Sequence, residues 1–171
     1  MMKAIGGFLL LAAVALLIRS TALSVLAARG VILDVLAFVT VVWALRWGES
    51  WGASFGFVLG LAADLDTAHW LGRHALVLAL IGYAVGRLAR ALVRDNPFTQ
   101  LVLLFAATVI HQSWALAFEL GHVAGWRFLL GHVVIAGLVS APLGVLLVAA
   151  VRAGSGRSLF SLAATEIDSR A

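Results

Sequence analysis

The alternation of apolar and polar stretches divides the chain into six hydrophobic runs, approximately 5–28, 31–47, 51–66, 72–91, 98–119 and 126–151. A helix crossing the hydrocarbon core of a bilayer takes about 20 apolar residues. In lipid a backbone must satisfy its own hydrogen bonds, so such runs predict helices. The expected fold is all-α, a polytopic membrane bundle of about six transmembrane helices. Arg19, Ser20 and Thr21 interrupt the first run. Lys3 before an apolar stretch, with Val25-Leu26-Ala27 as a cleavage site, imitates a signal peptide. Five further runs follow, which favours an uncleaved anchor. The third run is short and glycine-rich, and is expected as a tilted or partly re-entrant helix.

Composition agrees with this pattern and narrows it. Of 171 residues, 63% are apolar and 12% charged, against roughly a quarter charged in a soluble domain. A mean hydropathy of +1.08 leaves too little polar surface for a soluble enzyme and excludes disorder. Six spans use about 120 residues, so no loop folds by itself. The organisation expected is one transmembrane domain, 1–152, and a short polar cytoplasmic tail, 153–171. There is no cysteine, hence neither disulfide nor thiol chemistry.

The net charge of +4 raises nucleic acid as a partner, but the arginines sit at the ends of apolar runs, where they set topology. Lys3, Arg46, Arg87, Arg90, Arg94, Arg152, Arg157 and Arg170 fall on one side of a six-span chain. Arg19, Arg29, Arg73 and Arg127 fall on the other. Basic residues favour the cytoplasm, so both termini are expected there. Nucleic acid is not expected as a partner.

Small residues mark where helices approach closely in lipid. Gly48, Gly52, Gly56 and Gly60 recur every four residues, and Asp64 continues the row. The first reading is packing within the bundle; a docking groove for a foreign helix is the second. Gly82 and Gly86 form another small-residue pair, and Ala136, Ser140 and Gly144 a third face.

Ionisable residues inside spans are costly and face the bundle interior or a partner. Asp34 and Arg46 are too far apart along one helix to pair. Asp64 and Asp66 precede His69 and Arg73, and an Asp64–Arg73 ion pair across the turn is the plain account. His111 and Glu119 share a helix face about 12 Å apart; an isolated contact to a neighbouring helix is preferred to a proton relay. His74, His122 and His132 lack ligand-like spacing, so no metal is expected. Arg87, Arg90 and Arg94 stripe one helix end, where they hold topology, attract anionic lipid or meet a cytoplasmic partner. Trp43, Trp47, Trp51, Trp70 and Trp126 lie near run ends and are expected as interfacial anchors. There is no His-Glu-x-x-His, no Gly-x-Ser-x-Gly and no phosphate-binding glycine loop with lysine. Neither an enzyme nor a cofactor is expected.

The stretch Trp51-Gly52-Ala53-Ser54-Phe55-Gly56-Phe57-Val58-Leu59-Gly60-Leu61-Ala62-Ala63-Asp64-Leu65 resembles the Gly-Phe-x-x-Gly-Leu-x-x-Asp-Leu signature of the rod shape-determining membrane protein MreD family. Leu71-Gly72-Arg73-His74-Ala75-Leu76 is similar to the family's Leu-Gly-x-x-Ala-Leu, and Tyr83 falls where an aromatic is common. Leu33-Asp34-Val35-Leu36 and Val42-Trp43-Ala44-Leu45-Arg46 resemble Pro-Asp-Leu-Leu and Tyr-Trp-Ala-Leu, with Leu33 in place of the usual proline. The likeness is good over about 31–95 and reaches Gly56, Gly60, Leu61, Asp64, Gly72 and Leu76 as motif positions.

The resemblance implies a non-enzymatic role in the bacterial elongation machinery of the inner membrane. It implies binding to the single-span protein MreC and coupling of the actin-like MreB to the glycosyltransferase RodA and its transpeptidase partner. It also implies an architecture like the S components of energy-coupling-factor vitamin transporters, with a short third helix. Gly52, Gly56, Gly60 and Asp64 are the candidates for holding a partner helix, and Arg87, Arg90 and Arg94 for cytoplasmic components. The competing expectation is a small-molecule carrier, with Asp64, Asp66, His69, Arg73 and Glu119 as its polar pocket. A proton-coupled transporter resting on His111 and Glu119 ranks last.

Overall fold

The computed structural model describes residues 6–8, 10–18, 34–67, 71–92, 96–119 and 126–155, and every regular element among them is helical. In chain order these are α1 (Gly6–Ile18), α2 (Val35–Trp47), α3 (Glu49–Thr67), α4 (Arg73–Ala91), α5 (Pro97–Glu119) and α6 (Trp126–Ser155). The all-α membrane bundle expected from the apolar runs is therefore the fold. Segments of α4, α5 and α6 are long and apolar enough to cross a membrane; α1 and α2 are apolar but shorter. The short third helix expected from the sequence is corrected: α3 runs 19 residues, as long as α4, and α2 at 13 is the shorter one, while glycines, serines and carboxylates hold α3 below the same hydropathy. The part of the first run after Ile18 lies outside the described residues.

Local chemistry sets the helix ends. Asp34 caps α2, its Oδ1 accepting the Ala37 N–H at 3.0 Å. One of the four donors left over at a helix start is thereby satisfied. At the other end Gly48 adopts φ +84° and donates its N–H to the Ala44 carbonyl at 2.9 Å. That left-handed conformation suits glycine, and it turns α2 into α3 within a single residue. Pro142 lies inside α6 and removes a backbone donor, a loss that neighbouring helices make tolerable in a membrane. α6 continues to Ser155, three residues past the expected end of the transmembrane domain at 152; residues 156–171 lie outside the described set.

The short α2 sits at the centre and packs against α3, α4, α5 and α6. Its Val41 and Leu45 belong to the core together with Phe55 and Leu59 of α3 and Leu78 of α4. Trp43 is a correction to the interfacial reading. It is 6% exposed, stacked on Phe55 with ring centroids 4.9 Å apart and met edge-on by Phe8 at 5.7 Å. An indole with aromatic partners on both sides gains more by packing than by sitting at a headgroup. Trp70, and the side chain of Trp126, lie outside the described residues. Large apolar side chains on the outer faces, such as Leu80, Ile135 and Leu146, suit hydrocarbon, where a leucine gains nothing by being buried.

Candidate functional site

Two features converge on one end of α3 and α4: a row of glycines and a buried set of aspartates and histidines. The glycine row governs the spacing of the two helices. A Cβ at Gly52 would lie 2.5 Å from the Gly82 carbonyl oxygen, one at Gly56 would run into Leu78 backbone, and one at Gly60 would come within 2.5 Å of Ala75 Cα. From the other side, Gly82 faces Gly52 and Gly86 faces Gly48 and Glu49. The pairing is antiparallel, each step of four on α3 matched by a step of about four on α4. The face that carries Gly52, Gly56 and Gly60 is thus filled by α4, and a docking groove for a foreign helix is not open there. The third small-residue face serves α6: a Cβ at Gly144 would meet Leu104 of α5 and Phe38 of α2.

Where the glycine row ends, Asp64 enters the first turn of α4. It is 0% exposed. Its Oδ2 accepts the N–H groups of Gly72 at 2.9 Å and Ala75 at 3.1 Å. Its Oδ1 accepts the His74 N–H at 3.0 Å, and the His74 ring donates from Nδ1 to the same oxygen at 2.7 Å. These backbone donors have no partner within their own helix, and the positive end of the helix dipole favours a carboxylate there. Asp64 is in effect the N-terminal cap of α4, supplied by another helix. Gly72 takes φ +96° at the cap position, which brings its own N–H onto the carboxylate.

His74 continues the set. Its ring lies 5.4 Å from that of His111 on α5, and the Nδ1 of His111 donates to Asp34 Oδ2 at 2.6 Å. Asp34 in turn donates its backbone N–H to Ser140 Oγ on α6 at 3.1 Å. One buried network therefore ties α3, α4, α5, α2 and α6 together. The other ring nitrogen of His111, Nε2, is buried without a hydrogen-bond partner among the described residues. Burying a carboxylate is costly unless it is paired and hydrogen-bonded, and both aspartates are. Among the described residues no group of three or more histidine, aspartate or glutamate side chains is arranged to hold a metal ion.

At the far end of the α3–α4 pair Arg90 bonds Glu49 of α3, and Arg87 donates to the Tyr83 hydroxyl at 3.0 Å. Arg90 is thus tied to its own bundle, which leaves less of the arginine stripe for a partner. Arg94 and His69 lie outside the described residues, as do the side chains of Asp66 and Glu119. The expected polar pocket is not assembled from the described members of its set: Asp64 is committed to the start of α4. His111 makes the contact to a neighbouring helix that was preferred for it, and its partner is Asp34.

An all-helical bundle whose buried charges are spent on its own helix ends and interhelical ties defines a polytopic integral membrane protein. The family follows from the chain itself: the sequence profile described as rod shape-determining protein MreD matches residues 2–150. The protein belongs to the MreD family, a family of shape-determining membrane proteins. No curated protein and no solved structure matches the chain.

Proposed function

We propose that this protein is a non-enzymatic scaffold of the bacterial elongation complex, residing in the inner membrane with both termini in the cytoplasm. In this reading it binds MreC and helps couple MreB filaments to peptidoglycan synthesis by RodA and its transpeptidase partner. The observation that carries the reading is how the signature residues divide. Gly56, Gly60, Asp64 and Gly72 build the α3–α4 pair and leave no catalytic group among them. Leu65, Leu71 and Leu76 of the same signature are 65%, 72% and 51% exposed, and so lie on the outer face of the described bundle.

The outward leucines then contact MreC, while Gly52, Gly56, Gly60 and Asp64 act on partner binding by fixing the pair that presents them. Arg87, Arg90 and Arg94 remain the candidates for meeting cytoplasmic components, Arg90 being held by Glu49. The test is affinity purification of the tagged protein in mild detergent, with mass spectrometry of proteins and small molecules. MreC with RodA-type partners is expected, and MreC is expected to fall away when Leu65, Leu71 and Leu76 are all changed to alanine. Recovery of a vitamin with transporter ATPase subunits instead would replace this reading by that of an S-component-like carrier.

A further inference from the structure

We propose that the groove between α1, α2 and α6 binds one acyl chain of an anionic phospholipid, with the lipid phosphate held by Arg46. This inference does not rest on the scaffold reading. The groove has a volume of about 750 Å³, and its walls are almost wholly apolar: Leu10 and Val14 from α1, Phe38 and Val42 from α2, and Leu143 and Leu147 from α6.

Its two ends differ in chemistry. At one end Asp34 and Ser140 line it, joined by the 3.1 Å hydrogen bond that fastens α2 to α6. Asp34 there is already bonded to His111 and Ala37, so that end offers no free charge. At the other end stands Arg46, half-buried, its guanidinium 5.5 Å from the centre of the Trp47 ring. Arg46 has no carboxylate partner among the described residues. A guanidinium lying on an indole, at the mouth of an apolar groove, is suited to a phosphate, which it engages through two parallel hydrogen bonds.

Length suits an acyl chain. From Asp34 to Arg46 the groove follows α2 for about 18 Å at 1.5 Å per residue. That is close to one leaflet of a hydrocarbon core roughly 30 Å thick. An acyl chain hanging from a headgroup at Arg46 needs only its own leaflet. Arg46 lies on the side that the basic-residue count assigns to the cytoplasm, where anionic lipid is concentrated.

The test uses the full chain, stripped of lipid in mild detergent and offered equimolar palmitoyl-oleoyl phosphatidylglycerol and phosphatidylcholine, with native mass spectrometry as the readout. One retained phosphatidylglycerol is expected, preferred roughly fivefold over phosphatidylcholine. Arg46→Gln is expected to abolish the preference, and Val14→Trp to expel both lipids by filling the groove. Leu147→Trp does the same from α6 should the first variant fail to fold. Equal retention of the two lipids, no retained lipid, or a preference unchanged in Arg46→Gln overturns the proposal. So does a cross-linker on Leu147→Cys that reaches residues 19–33 or another protein whether lipid is present or not, since the groove would then already be filled.

Discussion

Between α3 and α4 there is no room for a methyl group, whereas between α1 and α6 a groove of about 750 Å³ stays open beside α2. Both regions are apolar and both border the same central helix. They differ in small residues and in polar ties. Glycines at every fourth position bring the α3 and α4 backbones into contact, and Asp64 then locks the register by capping α4. On the α1 side the wall residues are leucine, valine and phenylalanine, and a hydrogen bond crosses from α2 to α6 at Asp34, at one end of the groove. Apolar side chains alone drive little association in hydrocarbon, because lipid tails satisfy them equally well. Close backbone approach and satisfied polar groups decide which helices stay together.

The sharpest way to break the contrast is to force the tight side apart. Gly56→Leu places a side chain against Leu78 backbone and is expected to abolish accumulation of monodisperse protein. Gly131→Leu, where nothing lies within 4 Å, is expected to leave it intact. Fluorescence-detected size exclusion compares the two.

Next comes the cap. Asp64→Asn turns one acceptor into a donor facing backbone N–H groups and is expected to cost about 3 kcal/mol. That is a fall of roughly 6–12 °C in the thermal midpoint in detergent. Asp34→Ala removes a helix cap and strands His111, for about 2 kcal/mol. Adding His111→Leu to Asp34→Ala is expected to recover part of that loss, since an apolar pair is better than one buried polar partner alone.

The smallest effect belongs to the exposed end. The side chains of Arg90 and Glu49 are 58% and 23% exposed, so Glu49→Gln is expected to cost less than about 1 kcal/mol. What it does cost is expected to vanish in high salt.

The legible parts of this structure are those that a single helix carries within itself. The row from Gly52 to Asp64 is visible because four-residue spacing puts those residues on one stripe, and the apolar runs place the helices to within a few residues. The partner of that stripe is set by the antiparallel register with α4, which no local pattern encodes. For that reason the same glycines suggested both internal packing and a foreign helix. Sequence alone pairs Asp64 with Arg73, because charges are the obvious partners. The structure also gives it backbone donors, which every sequence has and none displays. His74 carried no spacing signal at all; it is found only once Gly72 is known to start the helix. Asp34 and His111 were each recognised as costly, but 77 positions separate them. Position near a run end favours an interface for Trp43, while the rings that bury it, Phe8 and Phe55, come from other helices.

Closure of the glycine row by α4 is tested most directly by the sign of one stability change. In an open helix face, whether toward lipid or toward an unoccupied groove, Gly56→Ala is expected to stabilise the helix by up to about 1 kcal/mol. Against the Leu78 carbonyl the added methyl has nowhere to go, and the cost of overpacking is typically 1–3 kcal/mol. The measurement is the thermal midpoint of Gly56→Ala in detergent, beside Gly131→Ala as the open-face control. A clear fall for Gly56→Ala with an unchanged or raised midpoint for Gly131→Ala is predicted. A Gly56→Ala protein as stable as the parent, or more so, would contradict the closed α3–α4 pair and return the row to a partner.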